Sequence, residues 1–213
     1  MGRFDQPVLD FWYEFASTYS YVAAMRIEAM ASRHSVVVRW RPFLLGPIFS
    51  AQGWTTSPFN LYPAKGRYMW RDVERLCRDF ELAFRRPREF PQNSLLAARL
   101  ALIGAAEGWG EAFAKAVFVA EFGEGREISR PEALGPILTA LGLDAGALLA
   151  RARTDEAVKS RLKSATEEAQ SLGIFGAPNF VTEDGELFWG NDRMDEAFAW
   201  AAGQGQRPAR MPR

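Results

Sequence analysis

The chain has one cysteine, Cys77, and one histidine, His34, among 213 residues. A single thiol cannot close an intramolecular disulfide, so dithiol redox chemistry within the chain is excluded. One His and one Cys also leave no zinc cluster of the usual four-ligand kind and suggest no Cys–His nucleophile pair, so no metal site is expected. Charge of one sign is not in excess. Lys+Arg and Asp+Glu are both 26, which gives no electrostatic footprint for nucleic acid or an anionic membrane surface. No uninterrupted apolar run approaches about 18 residues, so no membrane span is expected. Residues 1–7 hold no apolar segment of the signal-peptide kind, and with a lone cysteine this points to a reducing cytoplasm.

Aromatic residues are plentiful at 13%, with seven Trp, enough to fill a core and to line a pocket. Val8 to Phe15 is an apolar, aromatic run that reads as a strand, and a helix follows over about Ser20 to Ser32. Val36 to Pro42 is β-branched and ends at a proline, which completes a β-α-β unit. Phe43 to Pro63 reads as an aromatic, irregular connection, and residues 64–172 read as helical throughout. Asn93, Asp144 and Thr154 are placed as N-caps, Ser129-Arg130-Pro131-Glu132 as a capping box, and Gly173 as a helix stop. Asn179–Thr182 and Glu186–Trp189, joined by Glu183-Asp184-Gly185, read as a hairpin, with a closing helix from about Met194 to Ala202.

Ser17-Thr18-Tyr19-Ser20 lies at the turn from the first strand into the first helix. In thioredoxin-type proteins this turn carries a C-x-x-C pair, and here serine stands at both cysteine positions. A hydroxyl at a helix N-terminus suits an anion, because free N–H groups and the helix dipole both favour negative charge. The turn is suited to a thiolate supplied from outside the chain. Ser17 has a second reading, that of an ordinary N-cap, and pattern alone divides evenly between the two.

Five blocks resemble one family. Phe11-x-x-Glu14-Phe15-x-Ser17-x-Tyr19-Ser20-Tyr21 is similar to the opening of 2-hydroxychromene-2-carboxylate isomerases and kappa-class glutathione transferases. Arg41-Pro42-Phe43-Leu44-Leu45-Gly46 and Pro63-x-Lys65-Gly66-x-Tyr68-Met69 resemble the next two blocks. Gly173-Ile174-Phe175-Gly176-Ala177-Pro178-x-Phe180 resembles the segment with the cis-proline loop, and Trp189-Gly190-Asn191-Asp192-Arg193-Met194 the C-terminal glutathione-binding turn. The resemblance implies an α/β, thioredoxin-like fold with an all-helical insertion, as in DsbA and kappa-class transferases. The implied division is 7–57 and 173–203 for the thioredoxin-like unit, 58–172 for the insertion, and 204–213 for a flexible tail. It also implies a homodimer. Thr18 departs from the family, which usually has proline there.

The resemblance implies that Ser17 donates a hydrogen bond to the sulfur of bound glutathione. Such a bond contributes roughly 1.5–3 kcal/mol and the helix terminus about 0.3–1 kcal/mol. At 1.36 kcal/mol per pKa unit these lower a thiol by about one to three units, enough to ionise most of it at neutral pH. Ala177, before a cis Pro178, is implied to pair its backbone with the cysteinyl unit, in the manner of a short added strand. Asp192 is implied for the γ-glutamyl ammonium, Asn191 for its carboxylate and Lys65 for the glycyl carboxylate. Arg193 has an alternative as a structural ion pair, and Lys65 alone would read as a solvated lysine. Trp40, Phe43, Phe49, Trp54, Phe59 and Tyr62 are candidate walls for a flat aromatic substrate, about half of them core. Cys77 and His34 read as a buried apolar residue and a helix end.

The implied activity is glutathione-dependent cis-trans isomerisation of an aromatic-degradation intermediate resembling 2-hydroxychromene-2-carboxylate, by transient thiolate addition. A kappa-type transferase or peroxidase, and a non-catalytic glutathione-binding protein, are the alternatives. No nucleic-acid or membrane partner is expected.

Overall fold

The computed structural model describes residues 6–203. The expected tail at 204–213 lies outside the described residues. The sheet has four strands, β1 (Val8–Tyr13), β2 (Val37–Pro42), β3 (Asn179–Thr182) and β4 (Leu187–Trp189), in the order β2-β1-β3-β4. β1 pairs parallel with β2 and antiparallel with β3, and β3 pairs antiparallel with β4. The parallel pair is joined by α1 (Thr18–His34), the crossover that parallel neighbours require.

β1 is a near-continuous apolar strand because helices cover both of its faces. Leu9, Phe11 and Tyr13 face one core with Phe15, Tyr21, Ile27, Phe118 and Phe198, and Trp12 faces a second with Phe43, Ile48, Ala169 and Ile174. This split follows from the two-residue side-chain period of a strand. Phe11 is stacked on Phe180, with ring centroids 5.5 Å apart, and meets the edge of Trp40 at 5.0 Å.

Between β2 and β3 lie α2 (Leu45–Ala51), α3 (Pro58–Leu61), α4 (Pro63–Asp79), α5 (Leu95–Glu107), α6 (Gly110–Phe118), α7 (Pro131–Ala140), α8 (Ala145–Thr154) and α9 (Glu156–Ser171). The closing helix α10 spans Met194–Ala201. Two expectations are corrected. The 43–63 connection is not irregular, since it holds α2 and α3, each too short to give a periodic signal. Residues 64–172 are not helical throughout, because 80–94 is extended and turned; Pro87 and Pro91 disfavour helix at the residues before them. Gly66 in α4 allows a close crossing, since a Cβ there would lie 2.2 Å from the Phe59 carbonyl oxygen.

The caps divide in the same way. Asp144 caps α8 through the Ala147 N–H at 3.0 Å, and Gly173 follows α9 with φ +82°. Thr154 does not cap. Its hydroxyl donates back to the Ala150 carbonyl, and Asp155, with a stronger acceptor, caps α9. The Ser129 box does not form, because the cap position falls on Arg130, with Pro131 as the first helical residue. The Asn93 side chain accepts from the Leu95 N–H, while Ser94 holds the cap position of α5.

α6 runs into a π-helical turn, Val119–Gly123, which carries Glu121 into the core. Glu121 is fully buried, and neither carboxyl oxygen has a hydrogen-bond partner among the described residues. Burial, reinforced by the charge of Glu14, pushes its carboxyl well above the usual carboxylate range. A carboxyl raised in the folded state costs stability as pH climbs from its unfolded value of about 4.3 toward its folded one, at about 1.36 kcal/mol per unit. Denaturant unfolding of wild type and Glu121→Gln at pH 5 and pH 8 is therefore expected to show the variant gaining on wild type at the higher pH. An equal difference at both values would remove the titration from the explanation.

Candidate active site

The Ser17 turn sits where β1 ends, and the loop before β3 comes beside it. The register Trp12↔Asn179 sets the end of β1 against the start of β3. Ser17 is the N-cap of α1: its Oγ accepts from the Ser20 N–H at 3.2 Å and donates to the Ala177 carbonyl at 3.0 Å. The Ala177–Pro178 bond is cis. Thr18 is the first helical residue, a position whose N–H has no acceptor within the helix, so proline and threonine serve equally in the hydrogen-bond ladder. Its hydroxyl is buried and without a partner among the described residues.

The turn forms part of a cavity of about 1420 Å³. Pockets for drug-sized molecules run to about 300–1,000 Å³, so there is room here for a tripeptide and a second small molecule together. Ser17, Lys65, Ala177, Asn191, Asp192 and Arg193 all line it. Pro178 is buried behind Ala177 and is not part of the lining. Asn191–Arg193 form a 3₁₀ turn after β4, with Asn191 buried and Asp192 exposed. Arg193 lies 3.9 Å from Asp192 and 3.5 Å from Glu196, the structural ion pairing open to it from sequence, while still reaching the cavity. Lys65 is exposed in the first turn of α4, with its ammonium 5.0 Å from the Tyr62 ring centre.

Of the six candidate aromatic walls, Phe49, Trp54 and Phe59 line the cavity. Phe43 is fully buried, and Trp40 packs against the core. Phe90, Phe175 and Trp189 also line the cavity, and the Phe175 and Trp189 rings lie 4.8 Å apart with both side chains about half exposed.

Two acidic lining residues were not singled out from sequence. Asp72 accepts the Tyr19 hydroxyl at 3.0 Å and an Arg75 guanidinium N–H at 2.9 Å. Burial, together with the Asp72 charge, holds the Tyr19 phenol above its ordinary pKa, so Tyr19 serves as a donor and not as a base. The signal was available, because Asp72 stands seven residues, two helical turns, beyond Lys65 on the same face. Glu14 is buried at the back of the cavity and accepts the Leu45 N–H at 2.9 Å and the Ala16 N–H at 3.4 Å. Burial holds its carboxyl above the usual carboxylate range, and the hydrogen bonds from these amides offset only part of that rise. Glu14 thus ties the Ser17 turn to the start of α2.

Cys77 lies in α4, fully buried, and burial pushes its thiol up to about 11. His34 ends α1 with its ring 5.9 Å from that of Phe198. Among the described residues no group of His, Cys, Asp and Glu is placed to hold a metal ion, and no helix is long and apolar enough to cross a membrane.

A sheet of this order with a helix-capping residue facing a cis-proline loop defines the thioredoxin class, and residues 8–198 match the family model for the DSBA-like thioredoxin domain. The chain belongs to that family. It is 30% identical over 188 residues to the 2-hydroxychromene-2-carboxylate isomerase of Sphingobium xenophagum, covering 88% of this chain and 94% of that one. It is 26% identical over 208 residues to human glutathione S-transferase kappa 1, covering 92% and 90% of the two chains. Among solved structures it is similar to a 2-hydroxychromene-2-carboxylate isomerase with TM-score 0.79 at 25% identity, covering 93% of this chain and 100% of the other.

The thiol of Cys77 is expected to be silent in the folded protein. A thiol-specific disulfide reagent at pH 7 should release about one equivalent only after denaturant is added, and rapid reaction of native protein would contradict its burial.

Proposed function

We propose that the protein is a glutathione-dependent isomerase acting on an aromatic-derived, conjugated small molecule resembling 2-hydroxychromene-2-carboxylate. The observation that carries the reading is the Ser17 hydroxyl, held at the N-terminus of α1 on the wall of a cavity wide enough for two ligands. The donor set fits glutathione. Asp192 offers an anion for its ammonium, the Asn191 amide and Lys65 offer donors for its two carboxylates, and the Ala177 carbonyl offers an acceptor for its cysteinyl N–H. Bound glutathione would supply a thiolate nucleophile that adds to a conjugated double bond and leaves again, which this chain's own buried thiol cannot do.

Ser17 is the catalytic residue in this proposal. The Ser20 N–H fixes its oxygen, so its proton needs only to turn from the Ala177 carbonyl toward the ligand sulfur. That turn frees the Ala177 carbonyl for the ligand backbone. Phe49, Trp54 and Phe59 would flank a planar substrate, with Lys65 or Arg193 for its carboxylate. The division into a thioredoxin-like unit (7–57 and 173–203) and an insertion (58–172), a homodimeric assembly and a cytoplasmic setting belong to the same proposal. Kinship with proteins named glutathione S-transferase kappa 1 favours one second reading, net conjugation or peroxide reduction, in which glutathione is consumed.

Titration of reduced glutathione into wild type and Ser17→Ala tests the proposal, with binding followed by calorimetry and thiolate by ultraviolet absorbance. Wild type is expected to bind and to form thiolate at neutral pH. The variant is expected to bind with a thiol pKa about one to two units higher, reflecting a lost hydrogen bond of roughly 1.5–3 kcal/mol. Equal thiolate in both proteins would remove Ser17 from the role. Glutathione returned unchanged after turnover marks the isomerase, and its stoichiometric loss marks the second reading.

A further inference from the structure

We infer that Arg26 is a positioning residue for the ligand-binding turn: it holds the Asn191 amide with its NH₂ group, and not its carbonyl, directed to the cavity. This commits that corner to the α-carboxylate of a γ-glutamyl group. The inference rests on the glutathione reading above.

Arg26 lies on α1, nine residues beyond Ser17, and its Nη1 donates to the Asn191 Oδ1 at 3.1 Å. A guanidinium has five donors and no acceptor, so the only amide atom it can take is the oxygen. Flipping the amide would set donor against donor. Asn191 is only 4% exposed, so the flipped state would gain little from water. With its oxygen occupied, the amide has its Nδ2 left, and that group has no hydrogen-bond partner among the described residues.

Arg26 is itself held. Its guanidinium lies 3.7 Å from the centre of the Phe80 ring, just beyond α4, and 3.8 Å from the Asp195 carboxylate at the start of α10. Its side chain is only 18% exposed. Stacking of this kind suits arginine's flat head and not the compact ammonium of lysine. Asp192, next in the chain, presents a carboxylate to the same cavity. Adjacent residues thus offer a donor and an anion side by side, the complement of an α-amino-acid head group with its carboxylate and ammonium on one carbon. An aspartate at 191 would pair with Arg26 and leave no donor for the ligand.

The test compares glutathione with 4-aminobutyryl-cysteinyl-glycine, the same chain without the α-carboxylate, by calorimetry on wild type, Arg26→Met and Arg26→Lys. In wild type the missing carboxylate is expected to weaken binding about tenfold or more, the worth of a hydrogen bond to a charged group. In Arg26→Met glutathione itself binds more weakly, and the penalty for the missing carboxylate shrinks to about threefold or less. Arg26→Lys, which keeps one donor to the Asn191 oxygen, restores most of the penalty. The penalty is a ratio of two ligands on one protein, so partial unfolding of a variant does not alter it. An Arg26→Met penalty equal to wild type, or no penalty in wild type, overturns the inference. Failure of wild type to bind glutathione at all removes the underlying reading instead.

Discussion

The hydrogen bond from the Ser17 hydroxyl to the Ala177 carbonyl joins residues 160 apart in sequence, and the candidate site is organised around it. It exists because two requirements fall on one atom. The first helix needs a side-chain acceptor for a free N–H, and the loop before β3 turns a carbonyl toward that same oxygen. Sheet register makes the meeting unavoidable: antiparallel pairing of β1 with β3, Trp12 opposite Asn179, places the end of one strand beside the start of the other. A bound anion competing for the Ser17 proton therefore reaches both elements at once.

The rest of the molecule divides the labour of holding a polar ligand in a greasy space. The ends of the sheet provide the polar groups, Ser17 on one side and Asn191 to Arg193 on the other. The segments between β2 and β3 provide most of the aromatic walls, through Phe49, Trp54, Phe59 and Phe90. Glu14 fastens the two parts together, since its buried carboxyl accepts amides from the Ser17 turn and from the start of α2. Such a carboxyl costs desolvation, and its hydrogen bonds offset that cost. Glu121 has no such partners among the described residues, and burial with the Glu14 charge disfavours its charged form.

Strong local signals were legible in the sequence. β1, α1 and the hairpin stand where periodicity and turn residues put them, as does the stop at Gly173. Chain segments with competing signals were not. Pro87 and Pro91 broke a stretch read as helical, and two helices of seven and four residues inside the 43–63 connection were too short to leave a period. Thr154 and Asp155 are neighbours that can both cap a helix, and their order of preference is decided by where the backbone turns. In the site, resemblance supplied Lys65 and the 191–193 turn, whereas Asp72 and Glu14 needed the cavity itself to stand out.

What the sequence alone determined is chemical: one thiol, no dithiol, a serine at a helix start, and a family of blocks in a fixed order. Those facts are properties of residue type and spacing, which folding does not change. Tertiary structure decided the rest. Only the fold could bring residues 17, 65, 177 and 191–193 to one cavity, put three of the six candidate aromatic residues on its wall and three off it, and set Arg26 behind Asn191. Each of these depends on contacts between segments far apart in the chain, and the direction of a side chain across such a contact is fixed by packing, on which local pattern is silent.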